Sequence, residues 1–336
     1  MPIDLPGMSE INHTHFSQPQ SILLLGSSGL VGSAIAEEFS CSCYQVIAPT
    51  SSHVDLQDTK RVRYFIDELH PDVVIHAAGQ VGGIGANMRY GFELGVNNAA
   101  ITTNVLMAAY ESGIDKLIYL GCGCSYPNNR SEPMTPSDLF DGPVEPTSRA
   151  YALAKSLGLE LTLQARNSGR SWVSIVPSNL YGPHDNFDPL HAHVVPSLIR
   201  KMHLAKSEQL PVLRLRGSGR PLRQFLHSFD LAAGLQLVCD NVDRFEPIVN
   251  IGGDNICSIA ELARTVAEVT GFAGTIEWDT ASDDGTSAKI LDDTQIRLGG
   301  WTPQFDLPNG IAQTYSWILT TSTLVRGWDC RPEGDS

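Results

Sequence analysis

The chain has 336 residues, 42% of them hydrophobic and 18% charged, with a formal net charge of −14. That length buries a sizeable core in one domain or two, and the composition is ordinary for a globular protein. The acidic balance argues against nucleic acid or an anionic membrane as the main partner, but not against an anionic small ligand held by a few placed Arg and Lys.

No apolar run approaches the ~20 residues of a membrane span. Residues 1–19 are polar, lack the basic-then-apolar pattern of a signal peptide and read as a flexible lead-in. Seven cysteines stand at positions 41, 43, 122, 124, 239, 257 and 330. They form two C-x-C pairs but no CxxC spacing, and no His-rich cluster accompanies them, so no metal site is expected. Reduced thiols in a cytoplasmic protein are the simplest account.

A short apolar run over 21–25 has strand length and leads into Gly26-Ser27-Ser28-Gly29-Leu30-Val31-Gly32. This is G-x-x-G-x-x-G between a strand and a helix. The first glycine permits a tight turn, the second lets a pyrophosphate approach the backbone, and the third lets helix pack on strand. A second strand is predicted over 44–48. An NAD site usually carries an acid at the end of this strand, but here Pro49-Thr50-Ser51-Ser52-His53 offers hydroxyls and backbone amides. NADP is therefore favoured over NAD. Asp55 reads as a cap or an adenine-side contact.

A third buried strand over 73–76 ends in His76-Ala77-Ala78-Gly79, where the small residues admit the adenosine half of a cofactor. His76 reads as a structural strand-end histidine. The loop Val81-Gly82-Gly83-Ile84-Gly85 follows, and loops after parallel strands face the ligand crevice. A helix over 97–112 and a fourth strand over 116–120 then deliver Gly121-Cys122-Gly123-Cys124-Ser125-Tyr126-Pro127 to the sheet's carboxyl edge.

A helix over about 149–166 carries Tyr151 and Lys155, four residues apart and so on one face. A lysine cation one turn away favours the phenolate. Lowering a tyrosine pKa by ~3 units takes ~4 kcal/mol, which a close cation at an effective dielectric near ~20 supplies. A fifth strand over 172–176 leads into Pro177-Ser178-Asn179-Leu180. The alternation so far predicts an α/β fold with a doubly wound parallel sheet, spanning residues 20–180. Residues 181–322 read mainly as a smaller substrate lobe interleaved with late sheet elements. They include a helix ending near Lys206, a strand at 248–251, helices over 259–271 and 307–320, and a short strand over 275–278. The basic, Gly-rich stretch from Leu213 to Arg223 suggests an anion site. The tail, 323–336, reads as polar and loose.

Several segments, in order, carry a resemblance: Val81-Gly82-Gly83-Ile84, Cys124-Ser125-Tyr126-Pro127, the run from Asn179 to Phe187, His193-Val194-Val195-Pro196, and the run from Pro221 to His227. With them the chain resembles the extended short-chain dehydrogenase/reductase superfamily, whose NADP-binding part is a Rossmann domain, and within it the GDP-L-fucose synthase family. The resemblance implies 3,5-epimerisation of GDP-4-keto-6-deoxy-D-mannose, then NADPH reduction at C4, in a homodimer. It implies Tyr151 and Lys155 as the reductase pair, and Cys124 and His193 as the epimerase base and acid. A thiol and an imidazole both titrate near enough to neutrality for that work. It also implies Asn179 near the nicotinamide, and Val81, Lys201, Arg216, Arg223 and Lys289 as nucleotide-sugar contacts. The chain departs from the family at Cys122, where a triad serine is expected. A weak thiol donor there admits three readings: a surrogate, compensation by Ser125, or impaired reduction with epimerisation as the main activity. It departs again at Phe229, where an acid usually stands before Asp230, and at Arg216, where an aromatic is often found. A related nucleotide-sugar enzyme acting on another hexose or heptose stays open as the alternative.

Overall fold

The computed structural model describes residues 19–321, except 129, 131 and 283, together with 327 and 328. The lead-in up to residue 18 and most of the expected tail lie outside the described residues. The first part of the chain runs β1 (Ser21–Leu25), α1 (Leu30–Ser40), β2 (Gln45–Ile47), α2 (Thr59–Leu69), β3 (Val73–His76), α3 (Ile84–Arg89), α4 (Gly91–Glu111), β4 (Lys116–Leu120), α5 (Arg149–Asn167) and β5 (Ser171–Pro177). The second part runs β6 (Asn179–Tyr181), α6 (Val194–Ser207), β7 (Val212–Arg216), β8 (Leu222–His227), α7 (Ser228–Asp240), β9 (Ile248–Ile251), β10 (Asn255–Ser258), α8 (Ile259–Thr270), β11 (Thr275–Asp279), β12 (Ala288–Lys289), α9 (Thr294–Leu298) and α10 (Leu307–Thr321).

Six strands form one parallel sheet in the order β2-β1-β3-β4-β5-β9. Its central strands are apolar on both faces because helices cover both. Successive side chains point to opposite faces. Ile22 and Leu24 thus join the core built with Ile35 and Phe39 of α1 and with Leu231 and Leu235 of α7. Leu23 and Leu25 join the core built with Val62 of α2, Val105 of α4 and Leu159 of α5. The chain goes outward from β1 to β2 and then crosses back to β3, which puts a topological switch point between β1 and β3. This is an extended short-chain dehydrogenase/reductase fold with a smaller C-terminal lobe. That lobe has its own core, with Val195 and Ile199 of α6, Phe225 of β8, Leu262 and Val266 of α8, and Ile311 of α10.

Several details differ from the sequence reading. Helix α2 had no counterpart in it. Asp58 caps that helix, accepting from the Lys60 and Arg61 amides at 3.0 and 3.1 Å, while the Asp55 carboxylate accepts from the Gln57 amide and its carbonyl from the Asp58 amide. The helix expected from residue 97 starts at Gly91, directly after α3, because only Tyr90 separates the two. The basic stretch does not form a vacant anion site at its glycine turn. The Ser218 amide and hydroxyl already donate to Asp284, at 2.6 Å each. In the expected loose tail, Trp328 is buried against Phe187 and His203. Among the described residues, no helix is long and apolar enough to cross a membrane.

Candidate active site

The glycine turn and β3 meet at the switch point. Gly26 has φ +91°, and a Cβ there would lie 2.6 Å from the Ala78 amide nitrogen and 2.8 Å from the Ala77 carbonyl carbon. Gly32 is equally constrained, since a Cβ would overlap the Gly26 carbonyl. Gly29 differs: its Cβ would meet no protein atom nearer than 4.0 Å, and Ser28 and Gly29 are exposed. Helix α1 starts at Leu30 and Val31 with no side-chain cap and no acid in its first turn. Free amides, a positive helix end and an open glycine fit a pyrophosphate. At the end of β2, Thr50 Oγ1 lies 2.7 Å from Ser52 Oγ and 2.8 Å from His53 Nδ1, with no carboxylate in this group. The residues present therefore fit a dinucleotide, and the hydroxyls fit a ribose phosphate better than a ribose diol.

The catalytic candidates gather at the carboxyl end of β4. Close helix packing brings them there. A Cβ on Gly121 would lie 2.7 Å from Leu159 of α5, and one on Gly158 of α5 would overlap the Tyr119 ring. Helix α5 thus sits against β4 closely enough to carry Tyr151 and Lys155, both buried, beside the 3₁₀ turn Gly123–Ser125. Tyr126 locks that turn from below. Its buried hydroxyl donates to Asn250 Oδ1 on β9 at 2.7 Å.

His193 arrives from the other side as the residue that starts α6. The segment before it rests on the glycine loop. The Gly83 amide donates to the His191 carbonyl at 2.8 Å, and a Cβ on Gly83 would overlap the Ala192 carbonyl. Tyr90 stacks on His191, and Asn87 Nδ2 donates to the Gly82 carbonyl at 2.6 Å. The glycines of this loop thus act through packing, by docking the segment that presents His193. Val81, just before them, is half exposed.

The electrostatics sharpen the roles. Hydrogen bonding from Cys122 is the main force holding the Cys124 thiol down, against desolvation that raises it. The charges of Lys289 and His193 and the Ser148 hydroxyl also help, and the result is about 5. Cys122 is pushed the other way, by the same contact and by burial. His193 is open to solvent, as a group that meets a substrate must be. Enough protein still surrounds it that desolvation lowers its imidazole, with the Cys124 charge pulling it back up. Tyr151 corrects the sequence reading. Burial, then the two thiols, push its phenol well above the ordinary value. The Lys155 ammonium instead sits 4.7 Å from the Tyr119 ring centroid and helps depress buried His76. The two thiols are thus pushed apart, Cys124 down and Cys122 up, and burial holds the Tyr151 phenol above its ordinary value.

Arg223 and Lys289 are register partners on parallel strands β8 and β12. Burial lowers Arg223, and Glu145 and Asp284 pull it back up. Asn179, expected near the nicotinamide, donates Nδ2 to the Gln224 carbonyl at 2.8 Å and so ties β6 to β8. Leu180 packs on the sheet core, and Pro177 ends β5 opposite Ile251. Lys201 is exposed on α6, eight residues and about 12 Å along the axis from His193. Arg216 is exposed at the end of β7, in register with Asp279. Phe229, the departure beside Asp230, packs against His227 and Phe305. Two contributors escaped the sequence reading. Ser148 was not visible because its turn, Pro146–Ser148, has no motif of its own. Asn98 clamps the loop after β3, accepting from the Gln80 amide and donating to the Gln80 carbonyl.

Residues 22–252 match the NAD dependent epimerase/dehydratase family. Over 318 residues the chain is 36% identical to GDP-L-fucose synthase of Escherichia coli (strain K12), covering 92% of this chain and 99% of that one. Among solved structures, a GDP-L-fucose synthetase from Naegleria fowleri bound to NADP is 29% identical with a TM-score of 0.83, covering 92% and 96% of the two chains. A GDP-6-OMe-4-keto-L-xylo-heptose reductase from C. jejuni is 26% identical with a TM-score of 0.85, covering 91% and 99%. The chain therefore belongs to the NAD dependent epimerase/dehydratase family and, within it, to the GDP-L-fucose synthase family.

Proposed function

We propose that this protein is an NADP-dependent nucleotide-sugar epimerase/reductase that converts GDP-4-keto-6-deoxy-D-mannose to GDP-L-fucose. The observation that carries this reading is the Cys124 thiol, low in pKa and beside His193, within the electrostatic reach of a buried, protonated Tyr151. Epimerisation next to a ketone needs a base that titrates near neutral pH, and a thiol held below its ordinary value suits that work. The Cys124 sulfur takes the proton from C3 or C5, and the electron pair of the broken C–H bond moves to the ketone oxygen; His193, open to solvent and so supplied with protons by water, then returns a proton to the opposite face of the same carbon as the electron pair comes back from the oxygen. Tyr151 hydrogen-bonds that oxygen and later protonates O4. NADPH, when bound, supplies the hydride to C4. Lys155 holds the cofactor side of the site, while Arg223 and Lys289 supply positive charge for the diphosphate. Residues 20–180 form the cofactor half and 181–322 most of the substrate half.

A second reading follows from Cys122. With a thiol where the family has a serine, the sugar could be a heptose or another hexose, or reduction could be the slower half. The assay is incubation with GDP-4-keto-6-deoxy-D-mannose and NADPH in D2O. The first reading expects NADPH oxidation with deuterium at C3 and C5. Neither signal would sink it, and deuterium without oxidation would favour an epimerase-only enzyme.

The proposal includes a homodimer in a reducing, cytoplasmic compartment. Phe92 and Val96 of α4 and Leu153 and Leu157 of α5 are exposed apolar residues at i, i+4 spacing on two packed helices. A second copy would cover them. Sedimentation of a monomer at micromolar concentration would remove this part.

A further inference from the structure

The substrate lobe and the cofactor half meet along a strap, residues 284–292, that carries Lys289. We propose that Thr286 and Glu145 form a latch across that meeting, in which the Thr286 hydroxyl holds the Glu145 carboxylate and Thr286 acts as a positioning residue for Lys289 and Arg223 against a substrate diphosphate. The inference deepens the nucleotide-sugar reading above, and its meaning for the diphosphate rests on that reading.

The strap is fixed to the substrate lobe along its length. Asp284 accepts from the Ser218 amide and hydroxyl at its start. The Leu222 amide donates to the Ser287 carbonyl at 2.8 Å, Lys289 stands in register with Arg223, and the Leu291 amide donates to Gln224 Oε1 at 2.8 Å. The strap also crosses to the cofactor half. Near its end the Met134 amide donates to the Ile290 carbonyl at 2.9 Å, and the Asp292 amide to the Met134 carbonyl at 2.8 Å. Near its start Thr286 is buried, and its hydroxyl donates to Glu145 Oε2 at 2.5 Å, with Asn128 Oδ1 against the same hydroxyl.

Glu145 is placed to receive that bond. It directly precedes the turn Pro146–Ser148, and the proline keeps it out of helical backbone, at φ −53° and ψ 121°. Its carbonyl accepts from the Ser148 amide and its Oε1 from the Thr147 hydroxyl, both at 3.3 Å. One carboxylate oxygen thus serves its own turn, and the other reaches across to the strap. The bond joins a point six residues before Tyr151 to a point three residues before Lys289. It also governs charge. Arg223 and Lys289 are like charges on adjacent strands, and Glu145 lies within electrostatic reach of Arg223. Among the described residues Glu145 has no ion-pair partner, because hydroxyls hold it instead. Arg223 therefore stays available to phosphate oxygens. Without the latch the carboxylate is free to turn onto Arg223 and compete with the diphosphate.

The test measures GDP and NADPH binding to the full chain by calorimetry. Valine at 286 keeps the shape of threonine without the hydroxyl, and serine keeps the hydroxyl. T286V should bind GDP about 10-fold more weakly, the loss expected for a hydrogen bond to a charged group. T286S should stay within about 2-fold of wild type. NADPH affinity should be unchanged in both, which certifies that they are folded. In an E145Q background, T286V should cost less than about 3-fold, since the two residues act as one unit. Unchanged GDP affinity in T286V, equal loss in T286V and T286S, or the full loss in the E145Q background overturns the proposal. A wild type that binds NADPH but not GDP would sink the GDP-sugar reading instead. The latch is then judged by hydrogen exchange over residues 284–292: faster exchange in T286V than in wild type and T286S sustains it, and equal exchange overturns it.

Discussion

Asp185 lies in the segment that leads to His193, and it is a buried carboxyl with half its hydrogen-bonding capacity unused. It is 6% exposed; Oδ1 accepts from the Asn186 amide at 2.7 Å, and Oδ2 has no partner. Burial pushes its pKa up to about 7, against the weaker pull of the Asn186 amide. Because the folded value lies above the unfolded one, the stability it contributes is fully present below about pH 4 and falls as pH rises to about 7. Between pH 5 and pH 8 that fall amounts to about 2–3 kcal/mol at 1.36 kcal/mol per unit. Asp185→Asn cannot ionise and loses this dependence. Urea unfolding, followed by tryptophan fluorescence, is measured for both proteins at pH 5 and pH 8. His76 and His227, whose buried imidazoles cost stability as pH falls below about 6.5, are present in both and cancel. The variant should gain about 2–3 kcal/mol on wild type between the two pH values. A wild-type-minus-variant difference that stays constant would refute the burial argument.

Other outcomes concern the site directly. Tyr151→Phe removes the proton that O4 needs, so reduction should fall at least about 100-fold while deuterium exchange persists; full reduction would refute the role. Gly83→Ala forces a Cβ onto the Ala192 carbonyl, a backbone atom that cannot step aside. A displacement of His193 by about 1 Å should cut exchange by up to ~100-fold with NADPH binding unchanged, and equal loss of both would point to general unfolding. Tyr126→Phe leaves buried Asn250 Oδ1 without its donor and should cost about 1–3 kcal/mol in chemical denaturation. A cost below about 0.5 kcal/mol would mean that this bond does not hold the Cys124 turn.

Part of the protein was legible locally. Gly26, Gly29 and Gly32 after an apolar strand specify a dinucleotide turn, because each glycine answers a constraint within a few residues. Tyr151 and Lys155 share a face because four residues make about one helical turn. The alternation of strands and helices fixed the parallel sheet, since parallel neighbours require crossovers. Missed local features were weaker: Asp58 lies in a polar stretch without a strong start signal, and Trp328 stands alone in a polar tail.

Tertiary structure decided what lies between elements. Val81, Gly82 and Gly83 read as a loop at the ligand crevice, but the glycines are needed because the chain around Ala192 packs on their backbone. Cys124, His193 and Lys289 come from three distant parts of the sequence, and only the docking of the two halves brings their charges together. The protonation states are tertiary as well. Spacing suggested a tyrosine lowered by its lysine, yet burial outweighs a cation that is engaged over the Tyr119 ring. The sequence by itself determined which chemical groups stand on each element and which face they share. Their charges depend on desolvation and on neighbours from other elements, and those exist only after the chain has folded.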